Sequence, residues 1–179
     1  MKNSQKNLIV KSARKGDAES FGRLYEYYYA TMTWLAYSIL LDRNLAEDAV
    51  QQTFVKACEK LANLRDVDRF GPWLARICRN EAHQLIRERK RIISYEQAEP
   101  EQAEVPDKYN DDQKIMVKTA IEQLKPIYRE IIFMHYYSHM TYQQIACSLG
   151  ITDHTVRSRL FRARKKIETH LKKNGYQKG

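Results

Sequence analysis

The sequence TYQQIACSLGITDHTVRSRLFRARKKI, residues 141–167, decides how this chain is read. Thr141 can accept a hydrogen bond from the backbone three residues on and Gln144 can return one, a capping box that opens a helix. Ile145, Ala146 and Leu149 give that helix an apolar face, and Gly150 is placed to take the left-handed conformation that stops it. Thr152 can cap a second helix, in which Val156, Leu160, Ala163 and Ile167 recur at steps of four, three and four and so form one buried stripe. At about 100° per residue, the opposite side collects His154, Arg157, Ser158, Phe161, Arg162 and Lys165. A helix packed only for stability has no reason to point Phe161 away from its stripe. A helix lying in a DNA major groove has one, because arginine reaches guanine edges and an aromatic ring touches a thymine methyl. Cap, glycine turn, stripe and basic face together predict a helix-turn-helix.

Composition agrees with a nucleic-acid partner. The 179 residues suffice for one or two small domains, and a formal charge of +9 with a pI near 9.4 favours a polyanion. No apolar run is long enough to cross a bilayer, and the opening MKNSQKNLIVKSARKGD lacks a signal-peptide core, so a cytoplasmic protein is expected. Cys58, Cys78 and Cys147 are isolated and lie on apolar helical faces, with neither zinc spacing nor a disulfide frame. The expectation is three small buried hydrophobes in a reducing compartment. His135 and His139 are four apart, as metal ligands on a helix would be. No His-Glu pair accompanies them, and they fall among Tyr136, Tyr137 and Met140 at a helix end, which suits structural or surface histidines. No metal, cofactor or enzymatic activity is expected.

Residues 95–112 (YEQAEPEQAEVPDKYNDD) hold seven acidic residues, one lysine and two prolines with almost no large aliphatics. Such a segment cannot bury enough surface to fold alone and reads as a flexible or extended linker. Its net charge of −6 leaves +15 on the flanking pieces, 30 basic residues against 15 acidic. Two readings of the contrast stay open: it aids solubility, or the acidic stretch lies in a basic channel in place of nucleic acid.

The flanks read as helical throughout, so the expected fold is all-α, two small helical domains joined by the acidic linker. Asp17 can cap a first long helix whose stripe holds Phe21, Leu24, Tyr25, Tyr28, Met32, Leu35 and Ile39. A second helix, about 45–61, turns Ala46, Ala49, Val50, Thr53, Phe54, Ala57 and Leu61 inward. Its other side presents Asp48, Gln51, Gln52, Val55 and Glu59, an amide-rich face that suits either solvated surface or an interaction patch. A third helix begins at Phe70-Gly71-Pro72-Trp73, where proline fits the first turn. Phe70, Trp73, Leu74, Ile77 and Leu85 face its core. Arg76, Asn80, His83, Arg87 and Lys90, spaced four, three, four and three, share one exposed edge that Arg79, Arg89 and Arg91 thicken. That ridge is a candidate nucleic-acid track. The preceding loop, ANLRDVDR at 62–69, is short and polar enough to offer side chains to an unpaired base. Two further helices are expected near 113–124 and 126–137.

Four stretches carry a family resemblance: GDAESFGRLYEYYY (16–29), AEDAVQQTFVKA (46–57), FGPWLARICRNEAHQLIRERKR (70–91) and the opening sequence at 141–167. In their order and spacing the chain resembles bacterial RNA polymerase sigma factors of the extracytoplasmic-function class within the sigma-70 family. The resemblance implies a domain at 1–93 that binds core polymerase and the −10 element, a linker at 94–112, and a −35-binding domain at 113–179. It assigns Asp48, Gln51, Gln52 and Phe54 to docking on the clamp helices of the largest polymerase subunit, although helical phase puts Phe54 near the interior. It assigns Arg76, Arg79, Asn80, His83 and Arg87 to the −10 element, with Asn80 at the base-contacting position and the arginines along phosphates. In the last helix it turns Arg157, Ser158, Phe161 and Arg162 to bases, and Thr155, Arg159 and Arg164 to the backbone. The implied partners are polymerase core, promoter DNA and an anti-sigma factor, typically membrane-anchored. The alternative, a stand-alone helix-turn-helix regulator, leaves AEDAVQQTF without a role.

Overall fold

The computed structural model describes residues 3–96 and 112–174, so most of the acidic linker lies outside the described residues. Every regular element among the described residues is a helix, and the chain divides near residue 100 into two compact units.

In the first unit, α1 (Asn3–Arg14) precedes α2 (Ala18–Leu40), α3 (Arg43–Lys60) and α4 (Phe70–Glu96). Asp17 caps α2 by accepting a 3.2 Å hydrogen bond from Ser20 N, as its position before the apolar stripe predicts. The turn before it uses Gly16 at φ +95°, a conformation that only glycine adopts without strain. At the far end Leu41 is left-handed, its N–H bonded to Tyr37 O, and Asp42 immediately caps α3 from Leu45 N at 3.1 Å. α2, α3 and α4 pack on one another around Leu24, Met32, Leu35, Val50, Phe70 and Leu74, all essentially inaccessible to water. Each such side chain contributes roughly 1.5–3 kcal/mol by leaving water. Tyr28 packs its ring 5.3 Å from Phe70, and Gly71 leaves room for it: a Cβ there would sit 3.2 Å from the Tyr28 hydroxyl. α4 continues through residues 95 and 96, the first two of the acidic stretch.

The second unit contains α5 (Asp112–Glu122), α6 (Pro126–Ile132), α7 (Tyr142–Leu149) and α8 (Asp153–Lys173). Pro126 opens α6, where its missing N–H costs nothing. The single helix expected over 126–137 instead widens into a π turn at Phe133–Tyr137. Arg129 is buried, and its Nη1 donates to Glu122 O at 2.7 Å and Leu124 O at 2.8 Å. A guanidinium thereby satisfies carbonyls left open at the end of α5. α8 packs against α5, α6 and α7, burying Val156, Leu160 and Ala163.

The cysteines do not share one environment. Cys78 is buried as expected, its Sγ donating to Met32 O at 3.4 Å, and burial pushes its thiol up to about 12. Cys58 and Cys147 are exposed, a correction to the expectation of three buried thiols. Both lie one residue beyond a buried alanine, Ala57 or Ala146, and that 100° step carries each out of the core. Iodoacetamide at mildly alkaline pH should therefore label Cys58 and Cys147 in the native protein and leave Cys78 intact until the chain is denatured. Mass spectrometry of the labelled peptides checks this, and native labelling of Cys78 would contradict the packing of α4.

Candidate nucleic-acid and protein interfaces

On α3, the inward stripe fixes an outward one. Asp48, Gln51, Gln52 and Glu59 are exposed, and Val55 among them is 52% exposed. Phe54 faces the other way, only 4% exposed, with its ring 4.6 Å from Tyr25 and 6.4 Å from Phe21. The side chain is therefore part of the α2–α3 packing, beneath the exposed patch. α3 is tied to α4 by Lys56 Nζ to Glu81 Oε2 at 2.5 Å and by Arg89 to Asp42 at 3.5 Å.

On α4, Arg76, Asn80 and Arg87 are exposed along one edge, with Arg79 and His83 half-buried beside them. The side chain of Lys90, expected to extend this ridge, lies outside the described ones. The loop before α4 is built from two 3₁₀ turns, Leu61–Asn63 and Val67–Arg69, with Leu64 buried between them. Asn63, Arg65, Asp66, Asp68 and Arg69 are exposed on it. The polar run ANLRDVDR announces such a loop, but nothing local announces that α1 holds it, through Arg14 to Leu64 O and Asn7 to Asp68.

α7 and α8 form the expected helix-turn-helix. Thr141 Oγ1 accepts from Gln144 N at 3.2 Å while Gln144 Oε1 accepts from Thr141 N at 2.9 Å, the complete capping box. Gly150 takes φ +66°, and Thr152 caps α8 by accepting from Thr155 N at 3.2 Å. Phe161 is 68% exposed on the outer face, with Arg162 exposed and Ser158 half-buried next to it. Arg157 and Arg164 flank this face on one side. Their guanidiniums lie 5.8 Å from the ring centre of Tyr142 and 5.5 Å from that of Tyr136, within cation–π range. Arg159 is half-buried on the other flank, and the Thr155 hydroxyl is 2.9 Å from that of Thr152, within the cap itself. Tyr136 and Tyr142 are supporting residues that periodicity alone does not single out.

His135 rests between the rings of Tyr136 and Tyr142, its Nδ1 3.3 Å from Met140 O, so packing accounts for it. Among the described residues no helix is long and apolar enough to cross a membrane.

Comparison with known proteins covers both units. Residues 24–92 match the family model for sigma-70 region 2, and residues 114–167 match that for sigma-70 region 4. The RNA polymerase sigma-H factor of Pseudomonas aeruginosa is 29% identical, over 93% of this chain and 94% of its own. The ECF RNA polymerase sigma factor SigL of Mycobacterium tuberculosis is also 29% identical, over 93% of this chain and 97% of its own. "Probable RNA polymerase sigma factor RfaY" of Xanthomonas campestris is 33% identical over 89% of this chain, which spans 42% of that protein's length. Among solved structures, the sigma factor RpoE of Bartonella quintana, in complex with the anti-sigma factor NepR, superposes with a TM-score of 0.76 at 27% identity. That likeness covers 87% of this chain and 98% of the other.

The α3 geometry separates support from surface, and stability should divide accordingly. Phe54→Ala is expected to cost about 3–5 kcal/mol through the cavity it leaves. Gln51→Ala and Gln52→Ala should each shift stability by less than about 0.5 kcal/mol. Urea unfolding of the three variants distinguishes these outcomes, and a Phe54→Ala protein as stable as its parent would mean that this side chain is not packed as described.

Proposed function

Since the chain belongs to the sigma-70 family of bacterial RNA polymerase sigma factors, in its extracytoplasmic-function class, we propose that its two units act as the two promoter readers of one initiation factor. It binds core polymerase, directs it to promoters through −35 and −10 elements, and helps open the duplex. The observation that carries this is the pairing, in one chain, of a complete helix-turn-helix with the α3–α4 block that matches region 2. A stand-alone helix-turn-helix regulator needs the first of these and leaves the second unexplained.

Residues 1–93 are assigned to core and −10 binding, 94–112 to the linker and 113–179 to −35 binding. Asp48, Gln51 and Gln52, with Val55 between them, form the docking face on α3, and its low charge suits a protein partner more than a polyanion. Arg76, Arg79 and Arg87 follow phosphates along α4, where Asn80 and His83 lie among them. Phosphate contacts give salt-dependent affinity and register but no sequence information. On α8, Arg157, Ser158, Phe161 and Arg162 read base edges, each good pairing contributing on the order of 1–3 kcal/mol. Thr155, Arg159 and Arg164 hold the backbone. The loop at 62–69 and Asn80 take an extruded base from the opened strand, which offsets part of an unstacking cost of about a few kcal/mol. The chain itself makes no covalent bond in this scheme; polymerase does the chemistry, in the cytoplasm. The relative of known structure is held by an anti-sigma factor, and the same class of partner is proposed to restrain this chain.

In vitro transcription with core polymerase and a pool of promoter-like templates tests the proposal. Transcription should depend on this chain and fall in Asp48→Arg and Gln52→Arg variants that keep the parent's helical signal. Co-purification with core undiminished in both variants would refute the docking face, whereas tight binding of a palindrome without polymerase would favour the regulator.

The two kinds of arginine on α8 should separate in the same assay. Arg162→Ala is expected to cost about 1–3 kcal/mol and to relax preference at one −35 position. Arg164→Ala should weaken all promoters alike and reduce the salt slope by about one. Identical specificity profiles for the two variants would erase the distinction.

A further inference from the structure

We infer that α1, which lies outside the matched region 2 segment, is the positioning element of the loop at 61–69, with Arg14 and Asn7 holding its two 3₁₀ turns ready for an unpaired base. The inference rests on the proposed base-capture role of that loop. Asn7, Val10 and Arg14 recur at steps of three and four, so they share one face of α1. Val10 is fully buried, Ala13 nearly so, and the helix packs against α2 and both 3₁₀ turns. Arg14 Nη1 donates to Leu64 O at 3.0 Å in a part-buried site, between the two turns. Asn7 Nδ2 donates to Asp68 Oδ1 on the second turn, while Asn7 Oδ1 is buried with no hydrogen-bond partner among the described residues. Asp68 is thus what orients this amide.

The loop cannot hold itself this way. Its own hydrogen bonds are local: Leu64 N to Leu61 O, Arg69 N to Asp66 O, and Asp68 N to Asp66 Oδ1. Among the described residues, the hydrogen bonds that reach it across 50 and 61 residues of sequence both start from α1. A loop that must accept an extruded base gains from being ordered beforehand, since ordering it at the moment of capture subtracts from an already costly step. Loosening it should therefore weaken opening of the duplex and spare the earlier association with intact DNA.

The test uses the full chain with core polymerase, carrying Arg14→Met, Arg14→Lys, Asn7→Leu, or Asn63→Ala with Arg65→Ala in the loop itself. Hydrogen exchange should speed up at 61–69 in Arg14→Met and Asn7→Leu, with α3 and the described part of α4 still protected. Permanganate reactivity of promoter thymines should drop on the order of tenfold in Arg14→Met, the loss of one charge-assisted hydrogen bond, with binding to duplex promoter retained. Arg14→Lys, which can still donate to Leu64 O, should restore most of the reactivity. Should Arg14→Met lose protection throughout α2–α4, it has unfolded and Asn7→Leu carries the comparison. A defective loop variant beside Arg14→Met and Asn7→Leu proteins that open promoters like the parent would overturn the positioning role alone. A loop variant that opens promoters normally would overturn the base-capture reading and the inference with it.

Discussion

Burial of Val156, Leu160 and Ala163 sets the rotation of α8 about its own axis, and that rotation decides what the second unit can touch. Turning the helix by one residue, about 100°, would put Val156 into water and drive Arg157 toward the core. With roughly 1.5–3 kcal/mol at stake for each large apolar side chain, no surface contact competes. The exposure of Phe161 and Arg162 is a consequence of what lies opposite them, and so is the placement of Arg157 and Arg164 against aromatic rings. α3 obeys the same constraint through Phe54, whose packing on Tyr25 and Phe21 leaves Gln51, Gln52 and Val55 outside.

The first unit adds a constraint of charge. Glu81 is 11% exposed at its side chain and is met by Lys56 at 2.5 Å, which joins the C-terminal end of α3 to the middle of α4. Removing one partner would leave an uncompensated charge in a largely dry place, which costs more than the pair contributes while intact. The Arg89–Asp42 pair joins the same two helices, which also pack directly on one another, so the proposed docking face and the basic ridge share one packed pair of helices. Binding on one face can then place the other without a separate adjustment.

Features confined to one helix were legible in the sequence, because a period and a cap are local properties. The Thr141 box, the Gly150 stop, the Thr152 cap and the outward Phe161 all follow from residues within a few positions of one another. Asp17 and Pro126 belong to the same class. What stayed illegible depends on distant partners. The hold of α1 on the loop spans 50 and 61 residues. Arg129 breaks the rule that arginine lies outside, because its guanidinium replaces water at the end of α5, a site that exists only after α6 folds back. Cys58 and Cys147 each follow a buried alanine, and the 100° step between neighbours carries the thiol out of the core.

The arrangement of charge on the proposed DNA faces has its own logic. A cation attracts any phosphate and so binds every duplex, with an affinity that falls as salt rises. A neutral group contributes almost nothing until it meets the right base edge, and then it discriminates. On α4 the neutral Asn80 lies within a ridge bounded by Arg76 and Arg87, and on α8 Ser158 and Phe161 lie between Arg157 and Arg162. Neutral readers bracketed by cations let the protein settle on a duplex before it tests the sequence. Ser158 and Phe161 can discriminate without adding to non-specific affinity, which Arg157 and Arg162, proposed base readers that are also cations, raise for right and wrong sites alike.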